Sequence, residues 1–164
     1  MRAAAPDAPG SLQALGFHRR MIGNPRYGVF GLFAMPYYLI MSLHVMLAED
    51  DPDIRLVSRL ALKRAGYRVT AAANGQELLD KIAGDRPDVV LLDYMMPEMD
   101  GAEVCRRLKA DPATRDIPVV FLSAKSQGFQ LGEAKQLGAL GYIGKPYDAL
   151  TLGAQLKAIL EGQP

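Results

Sequence analysis

From His44 onward, the sequence alternates short apolar runs with longer segments whose apolar residues recur at helical spacing. Each run is about five residues long, and several lack any polar interruption, which is typical of strands buried on both faces of a parallel sheet. The predicted strands are His44–Ala48, Tyr67–Ala71, Val89–Leu92, Pro118–Leu122 and Leu140–Gly144. Because a helical segment follows every strand, the pattern predicts a doubly wound α/β fold, with five helices around a five-stranded parallel sheet.

Polar side chains mark the starts of several of these helices. Asp51, Asn74 and Asp148 stand where an N-cap is expected for the first, second and last helices. The fourth helix, from about Phe129 to Leu137, has the weakest pattern because glycine interrupts it. We therefore expect this segment to be mobile.

Polar and charged residues also stand at the carboxyl ends of four predicted strands. They are Glu49, Asp50, Asp93, Ser123 and Lys145. In an open parallel sheet these ends share one edge, where ligands bind. Clustered carboxylates repel unless a cation joins them, and an all-oxygen ligand set favours Mg²⁺. A lysine offers a point charge for phosphate, and an aspartate can attack phosphorus. Each residue alone also fits a cap or a surface charge, but five at one edge favour a phosphoryl site.

The remaining composition excludes several other kinds of site. Cys105 is the only cysteine, so neither an intrachain disulfide nor a multi-cysteine metal site can form. His18 and His44 have no cysteine or histidine partner at ligand spacing, which argues against a zinc site. The formal net charge of +1, with neither a basic stripe nor a DNA-reading helix, predicts no nucleic-acid partner.

Residues 1–41 differ in character from the rest of the chain. They carry an excess of arginine and lead into a 15-residue apolar run, Val29–Leu43, which Pro36 interrupts. That run is shorter than the ~20 residues that a spanning helix needs. We interpret residues 1–41 as a disordered or membrane-interfacial extension, with weak membrane contact through residues 18–43. The alternative, which we favour, is that residues before Met41 come from an upstream reading frame fused to a start at Met41.

Part of this extension resembles a segment of a known enzyme family. The pattern HRRM, NPRYG and GL.AMPY, within residues 18–40, is similar to a segment that leads into a late membrane helix of cellulose-synthase-type processive glycosyltransferases. The resemblance covers about 25 residues and includes none of the catalytic carboxylates of that family. It therefore predicts no glycosyltransferase activity.

The regular part of the chain resembles a response-regulator receiver domain of two-component signalling. The motifs that carry this resemblance are LAEDD at 47–51, PDVVLLDYMMPEMDG at 87–101, PVVFLSA at 118–124 and GYIGKPY at 141–147. Their joint spacing is specific, and the resemblance covers residues from about 43 to 160. The resemblance implies the flavodoxin-like receiver fold, with a domain at 42–162.

The resemblance also implies a role for each matching residue. Asp93 corresponds to the phospho-acceptor, and Glu49, Asp50, Asp93 and the backbone carbonyl of Met95 correspond to the Mg²⁺ site. The remaining matches are Ser123 for the hydroxyl that bonds the phosphoryl group, Lys145 for the ion-pairing lysine and Tyr142 for the aromatic switch. The peptide bond between Lys145 and Pro146 is implied to be cis.

The function implied is that of a stand-alone receiver that takes a phosphoryl group from a histidine kinase or phosphotransfer protein. It would signal to a downstream protein, catalyse only its own phosphorylation and dephosphorylation, and be cytoplasmic or peripheral at the membrane. The alternative is a degenerate or membrane-tethered receiver that acts as a docking module. A dehalogenase-type phosphatase would need a second aspartate where Met95 stands, and a flavodoxin would need a phosphate loop after the first strand.

Overall fold

The computed structural model describes residues 43–124 and 131–162, and five strands there form one parallel sheet. The strands are β1 (His44–Ala48), β2 (Arg68–Ala72), β3 (Val89–Asp93), β4 (Val119–Ala124) and β5 (Gly141–Lys145). The helices are α1 (Pro52–Arg64), α2 (Gly75–Gly84), α3 (Gly101–Ala110), α4 (Leu131–Gln136) and α5 (Leu152–Leu160). The spatial order is β2-β1-β3-β4-β5. The predicted doubly wound fold is confirmed.

Alternate residues of the central strands point to opposite faces of the sheet and feed two separate cores. One core joins the sheet to α2, α3 and α4, and includes Met46, Leu78, Leu92, Val104, Leu108, Phe121 and Ala134. The other joins it to α1 and α5, and includes Val45, Leu47, Leu62, Leu91, Leu122, Leu152 and Leu156. Because both faces are covered, all five residues of β1 and of β3 are buried.

Two of the predicted helix caps are confirmed. A carboxylate oxygen of Asp51 accepts hydrogen bonds from the backbone N–H groups of Asp53 and Ile54 at 2.9 Å each. The side-chain oxygen of Asn74 accepts one from the N–H of Glu77 at 2.8 Å. These bonds satisfy amides that the first helical turn leaves without a partner. They stabilise the starts of α1 and α2, which follow shortly after the carboxyl ends of β1 and β2.

The predicted cap of the last helix is wrong. The last helix starts at Leu152 with Thr151 as its N-cap, and Thr151 makes no side-chain capping bond. Asp148 instead accepts a hydrogen bond from the N–H of Leu150, at 2.8 Å, in the turn that precedes the helix. An aspartate satisfies a turn amide two residues on as readily as a helix amide, so its position alone does not separate the two.

Residues 1–41 lie outside the described residues, as does Phe129 at the predicted start of the fourth helix. The described part of that helix, Leu131–Gln136, falls within the predicted span. Among the residues that the structure describes, no helix is both long and apolar enough to cross a membrane.

Candidate functional site

The structure brings five of the predicted site residues together at the carboxyl edge of the sheet. They are Glu49 and Asp50 directly after β1, Asp93 at the end of β3, Ser123 in β4 and Lys145 at the end of β5. The strand register aligns these ends: Asp93 pairs with Leu122, and Ser123 pairs with Gly144. The site is therefore built from four strands that are adjacent in the sheet and distant in sequence.

Three carboxylates cluster at this edge. Glu49, Asp50 and Asp93 each place a carboxylate oxygen within 4.8 Å of the others. Glu49 is 1% exposed and Asp93 is 5% exposed, whereas Asp50 faces solvent. Like charges this close are unfavourable without a counter-charge, so the cluster attracts cations through its open side.

Lys145 supplies one counter-charge from inside the cluster. Its Nζ atom donates to Glu49 Oε2 at 2.6 Å and to Asp93 Oδ2 at 2.8 Å. Burial acts to lower the pKa of Lys145, but the hydrogen bonds to Asp93 and Glu49 outweigh it and the pKa is raised. This lysine is therefore charged throughout the physiological pH range.

One ammonium does not neutralise two buried carboxylates. Burial raises the pKa of Glu49 to about 7, against the opposing effect of its hydrogen bond with Lys145. The nearby Asp93 carboxylate also contributes to this raised pKa. When Glu49 is ionised, the charge of Lys145 does not balance those of Glu49 and Asp93, so a further cation would stabilise the ionised form.

The second oxygen of Asp93 is held by the loop that follows β3. The backbone N–H of Met95 donates to Asp93 Oδ1 at 3.1 Å, and the Met95 side chain is exposed. The loop is in turn packed against Gly101, whose N–H donates to the carbonyl of Tyr94 at 2.9 Å. A Cβ atom at Gly101 would meet the Asp93 carbonyl oxygen and lie 2.9 Å from Tyr94 Cα, so any larger residue here would force the backbone to shift.

Ser123 presents an unusual hydroxyl group at the site. The residue is 2% exposed, and within the described ranges its Oγ atom has no hydrogen-bond partner. A buried hydroxyl without a partner costs free energy, and such groups occur where a ligand supplies the missing bond. Its place on β4, beside the end of β3, matches a ligand bound at Asp93.

Tyr142 lies further from the carboxylates. It pairs with Phe121 in the register of β4 and β5, and it packs, half-buried, against the core under α2, α3 and α4. The structure therefore places Tyr142 on the strand that ends at Lys145, three residues before it.

The family model described as the response regulator receiver domain matches residues 45–157 of this sequence. The chain belongs to the response-regulator receiver family. The cis peptide bond that the resemblance implied between Lys145 and Pro146 is confirmed. Receiver domains are signalling modules of two-component systems, so the prediction of a two-component response regulator is also confirmed.

Curated relatives match the receiver over its regular part. Transcriptional regulatory protein CseB of Streptomyces coelicolor is 41% identical over 117 residues, which are 71% of this chain and 49% of that protein. Phosphate regulon transcriptional regulatory protein PhoB of Pseudomonas aeruginosa is 39% identical over 116 residues, which are 71% and 51%. The chain spans about half the length of these relatives.

Solved structures match the same region. Chemotaxis protein CheY4 of Vibrio cholerae superposes with a TM-score of 0.67 at 30% sequence identity, covering 72% of this chain and 98% of that one. A putative response regulator from Chloroflexus aurantiacus gives the same TM-score and identity, covering 73% and 98%. The five-stranded receiver fold is therefore shared with solved chains that consist almost wholly of it.

The donor atoms of this receiver fit a magnesium ion. Glu49, Asp50 and Asp93 offer only oxygen, and the exposed side of the cluster leaves room for coordinated water. Hard cations that retain several waters prefer such sets. Two buried carboxylates that share a single lysine also lack the charge that a divalent ion would supply.

Sequence reasoning missed an apolar groove of about 700 Å³ that opens beside the site. It lies between α1 and the residues that follow β5, and we call it the α1 groove; its lining includes Ile54, Val57, Ser58, Lys145, Pro146 and Tyr147. Ser58 Oγ and Tyr147 OH, 2.7 Å apart, share a hydrogen bond in its wall. Apolar residues of an amphipathic helix usually face the core, but Val57 of α1 is half exposed in the groove. An apolar residue at this position was the only signal of the groove that the sequence offered.

Two further contacts have no counterpart in a sequence pattern. Arg55 donates hydrogen bonds to the backbone carbonyls of Glu49 and Asp50. Tyr94, the residue after Asp93, donates from its hydroxyl to a carboxylate oxygen of Glu133 on α4 at 2.9 Å. Both contacts join the site to a neighbouring helix, and neither follows a recognisable spacing.

Proposed function

We propose that Asp93 accepts a phosphoryl group from the phosphohistidine of a histidine kinase or phosphotransfer protein. The phosphorylated receiver then signals through contacts with a downstream protein. The observation that carries this proposal is the Asp93 carboxylate at the edge of the sheet, 2.8 Å from Lys145 Nζ and clustered with Glu49 and Asp50. That arrangement pairs a nucleophile with positive charge for the incoming phosphoryl oxygens.

In the proposed reaction, a carboxylate oxygen of Asp93 attacks phosphorus while the bond between phosphorus and the donor imidazole breaks. The electron pair of that bond stays on the imidazole nitrogen, which takes up a proton, and Asp93 becomes an acyl phosphate. Glu49, Asp50, Asp93 and the carbonyl of Met95 would hold Mg²⁺, which when bound screens the charge of the phosphoryl oxygens. Lys145 then exchanges its bond to the Asp93 carboxylate for one to a phosphoryl oxygen.

Ser123 and Tyr142 carry the signal away from the site in this proposal. The Ser123 hydroxyl, which has no hydrogen-bond partner in the described part of the chain, donates to a phosphoryl oxygen. Its movement towards Asp93 makes room for the half-buried ring of Tyr142 to turn inward. The surface formed by α4, β5 and α5 then changes shape, which is a population shift that a downstream protein can read.

The α1 groove is the surface that we assign to the phosphodonor protein. Lys145 is part of its lining, so a partner helix seated on Ile54 and Val57 would bring its histidine to the mouth of the site. Val57 is 50% exposed, and apolar side chains exposed next to a reactive group are typical of an interaction surface. The occupant in this proposal is an amphipathic helix of the donor.

Labelling by acetyl phosphate tests the chemistry independently of the partner. With Mg²⁺ present, intact-mass spectrometry should show one added phosphoryl group on the wild type and none on Asp93→Asn. Chelation of the metal with EDTA should abolish the labelling, since the phosphoryl charge is then unscreened. Equal labelling of the wild type and the variant would refute the assignment of Asp93.

A pair of α1 variants tests the donor surface. Val57→Glu places a charge in the α1 groove, whereas Leu60→Glu places one on the same helix at a similarly exposed residue outside the groove lining. Val57→Glu should lose about tenfold or more in transfer rate from the host's purified kinases and phosphotransfer proteins, while labelling by acetyl phosphate is unchanged. Equal transfer rates for the two variants would place the donor elsewhere.

A further inference from the structure

Arg55, in the first turn of α1, reaches back over the loop that carries two of the acidic residues. Its Nη1 atom donates to the carbonyl oxygen of Glu49 at 2.7 Å and to that of Asp50 at 3.0 Å. Its own backbone N–H donates to the carbonyl of Asp51 at 2.9 Å, so its helical position is also defined. The two carbonyls belong to the peptide units on either side of the Asp50 Cα atom. Arg55 thus restrains the two peptide groups that flank the Asp50 Cα atom.

The three clustered acids are oriented in different ways. The Glu49 carboxylate is held by Lys145 and by the N–H of Asp51 at 3.3 Å. The Asp93 carboxylate is likewise held by Lys145 and by a backbone N–H group. The Asp50 carboxylate is exposed, and in the described ranges it makes no hydrogen bond. Its direction therefore depends on the backbone that carries it and on its own side-chain torsions.

We infer that Arg55 is a positioning residue for the metal site, which aims the Asp50 carboxylate at the cation by bonding the two carbonyls beside it. The inference rests on the proposed function, because Mg²⁺ is the ion that Asp50 would help to bind. Groups that orient metal ligands without touching the metal are often worth about ten- to a hundredfold in metal affinity. Arg55 would do this through the backbone, without touching the Asp50 carboxylate.

Charge alone predicts the opposite effect. Arg55 is a cation close to a cation site, so its removal as a simple charge should tighten Mg²⁺ binding, to an extent that salt reduces. Loss of positioning should weaken binding instead. The direction of the change in affinity therefore separates the two roles.

Three variants of the full chain make the test, with Mg²⁺ binding to the unphosphorylated protein measured by titration calorimetry. Arg55→Met removes both carbonyl bonds and should raise the Kd for Mg²⁺ about tenfold. Arg59→Met removes the same charge one turn further along α1, from a residue that bonds none of the described loop carbonyls, and should leave the Kd unchanged or slightly lower. Arg55→Lys retains a charged hydrogen-bond donor but has a shorter side chain. Its Kd should therefore lie between those of the wild type and Arg55→Met.

Hydrogen exchange of the metal-free proteins gives a second readout, at the amides of Asp50 and Asp51. These amides should exchange faster in Arg55→Met than in Arg59→Met, while amides of β1 exchange at the wild-type rate. A Kd for Arg55→Met equal to or below that of Arg59→Met would overturn the positioning role. Failure of the wild type itself to bind Mg²⁺ would instead overturn the metal site of the proposed function.

Discussion

Gly101 offers a direct test of how closely α3 is fitted to the phosphorylation site. The first residue of α3 packs against the backbone that carries Asp93, and a Cβ atom added there would meet the Asp93 carbonyl oxygen. The same atom would lie 2.9 Å from Tyr94 Cα. Both neighbours are backbone atoms, one in the last residue of β3 and one in the residue that follows it, so neither can move aside as a flexible side chain would.

The magnitude follows from this geometry. An alanine here forces a backbone shift that costs about 1–3 kcal/mol, and it weakens the hydrogen bond from the Gly101 N–H to the Tyr94 carbonyl. The lower chain entropy of unfolded alanine returns only about 0.4–1 kcal/mol. We expect Gly101→Ala to lower the free energy of unfolding by about 1–2 kcal/mol. Because the shift also displaces Asp93, labelling by acetyl phosphate should slow by about tenfold.

The matched control is Gly84→Ala, at the end of α2. A Cβ atom at Gly84 meets nothing within 4 Å, so this change should leave the free energy of unfolding equal or raise it by up to about 1 kcal/mol. Urea denaturation followed by far-UV circular dichroism measures both variants, and intact-mass spectrometry measures their labelling rates. Equal stability and equal labelling for the two variants would refute the close fit between α3 and the site.

Two further predictions concern stability. Burial raises the pKa of Tyr67 to about 12, and its hydroxyl donates to the carbonyl of Gly153 at 3.2 Å. The folded state thus retains a proton that the unfolded state loses above pH ~10, so stability should fall by up to about 1.4 kcal/mol per pH unit between pH ~10 and ~12. In urea melts, Tyr67→Phe should show a shallower decline, and an identical slope would contradict this. A chain that begins at Met41 should retain the unfolding free energy of the full chain within ~0.5 kcal/mol and still be labelled at Asp93. A loss of several kcal/mol would show that the apolar residues before Met41 bury surface in the folded protein.

The fold was open to prediction because its signals are local. Strands of five or six residues, of which β1, β3 and most of β4 are buried, alternate with helices that begin after cap residues such as Asp51 and Asn74. The cap predicted at Asp148 was wrong because a turn amide competes for the same carboxylate. In a doubly wound sheet, the carboxyl ends of the parallel strands lie at one edge. Because the five site residues stand at such ends, the sequence predicted that they lie together.

The chemical character of those residues depends on tertiary contacts. Glu49 and Asp50 are neighbours in sequence, yet Glu49 is buried with a pKa of about 7 and Asp50 is exposed. That difference arises because the fold buries Glu49 and leaves Asp50 exposed, while the hydrogen bond from Lys145, 96 positions along the chain, acts to lower the pKa of Glu49. The roles assigned to Ser123 and Tyr142 stay predictions, although the hydroxyl of Ser123 without a bonded partner in the described residues supports the first.

The order of strands and helices along the chain, the edge that carries the acids and the family to which they belong could all be predicted from the residues. Which acid is buried, where the α1 groove opens and what holds the Asp50 backbone depend on tertiary contacts. The contacts of Arg55 illustrate the reason, because they end on carbonyl oxygens that every residue possesses. A hydrogen bond to such an atom leaves no trace in residue type or spacing, and it exists only once α1 has packed beside β1.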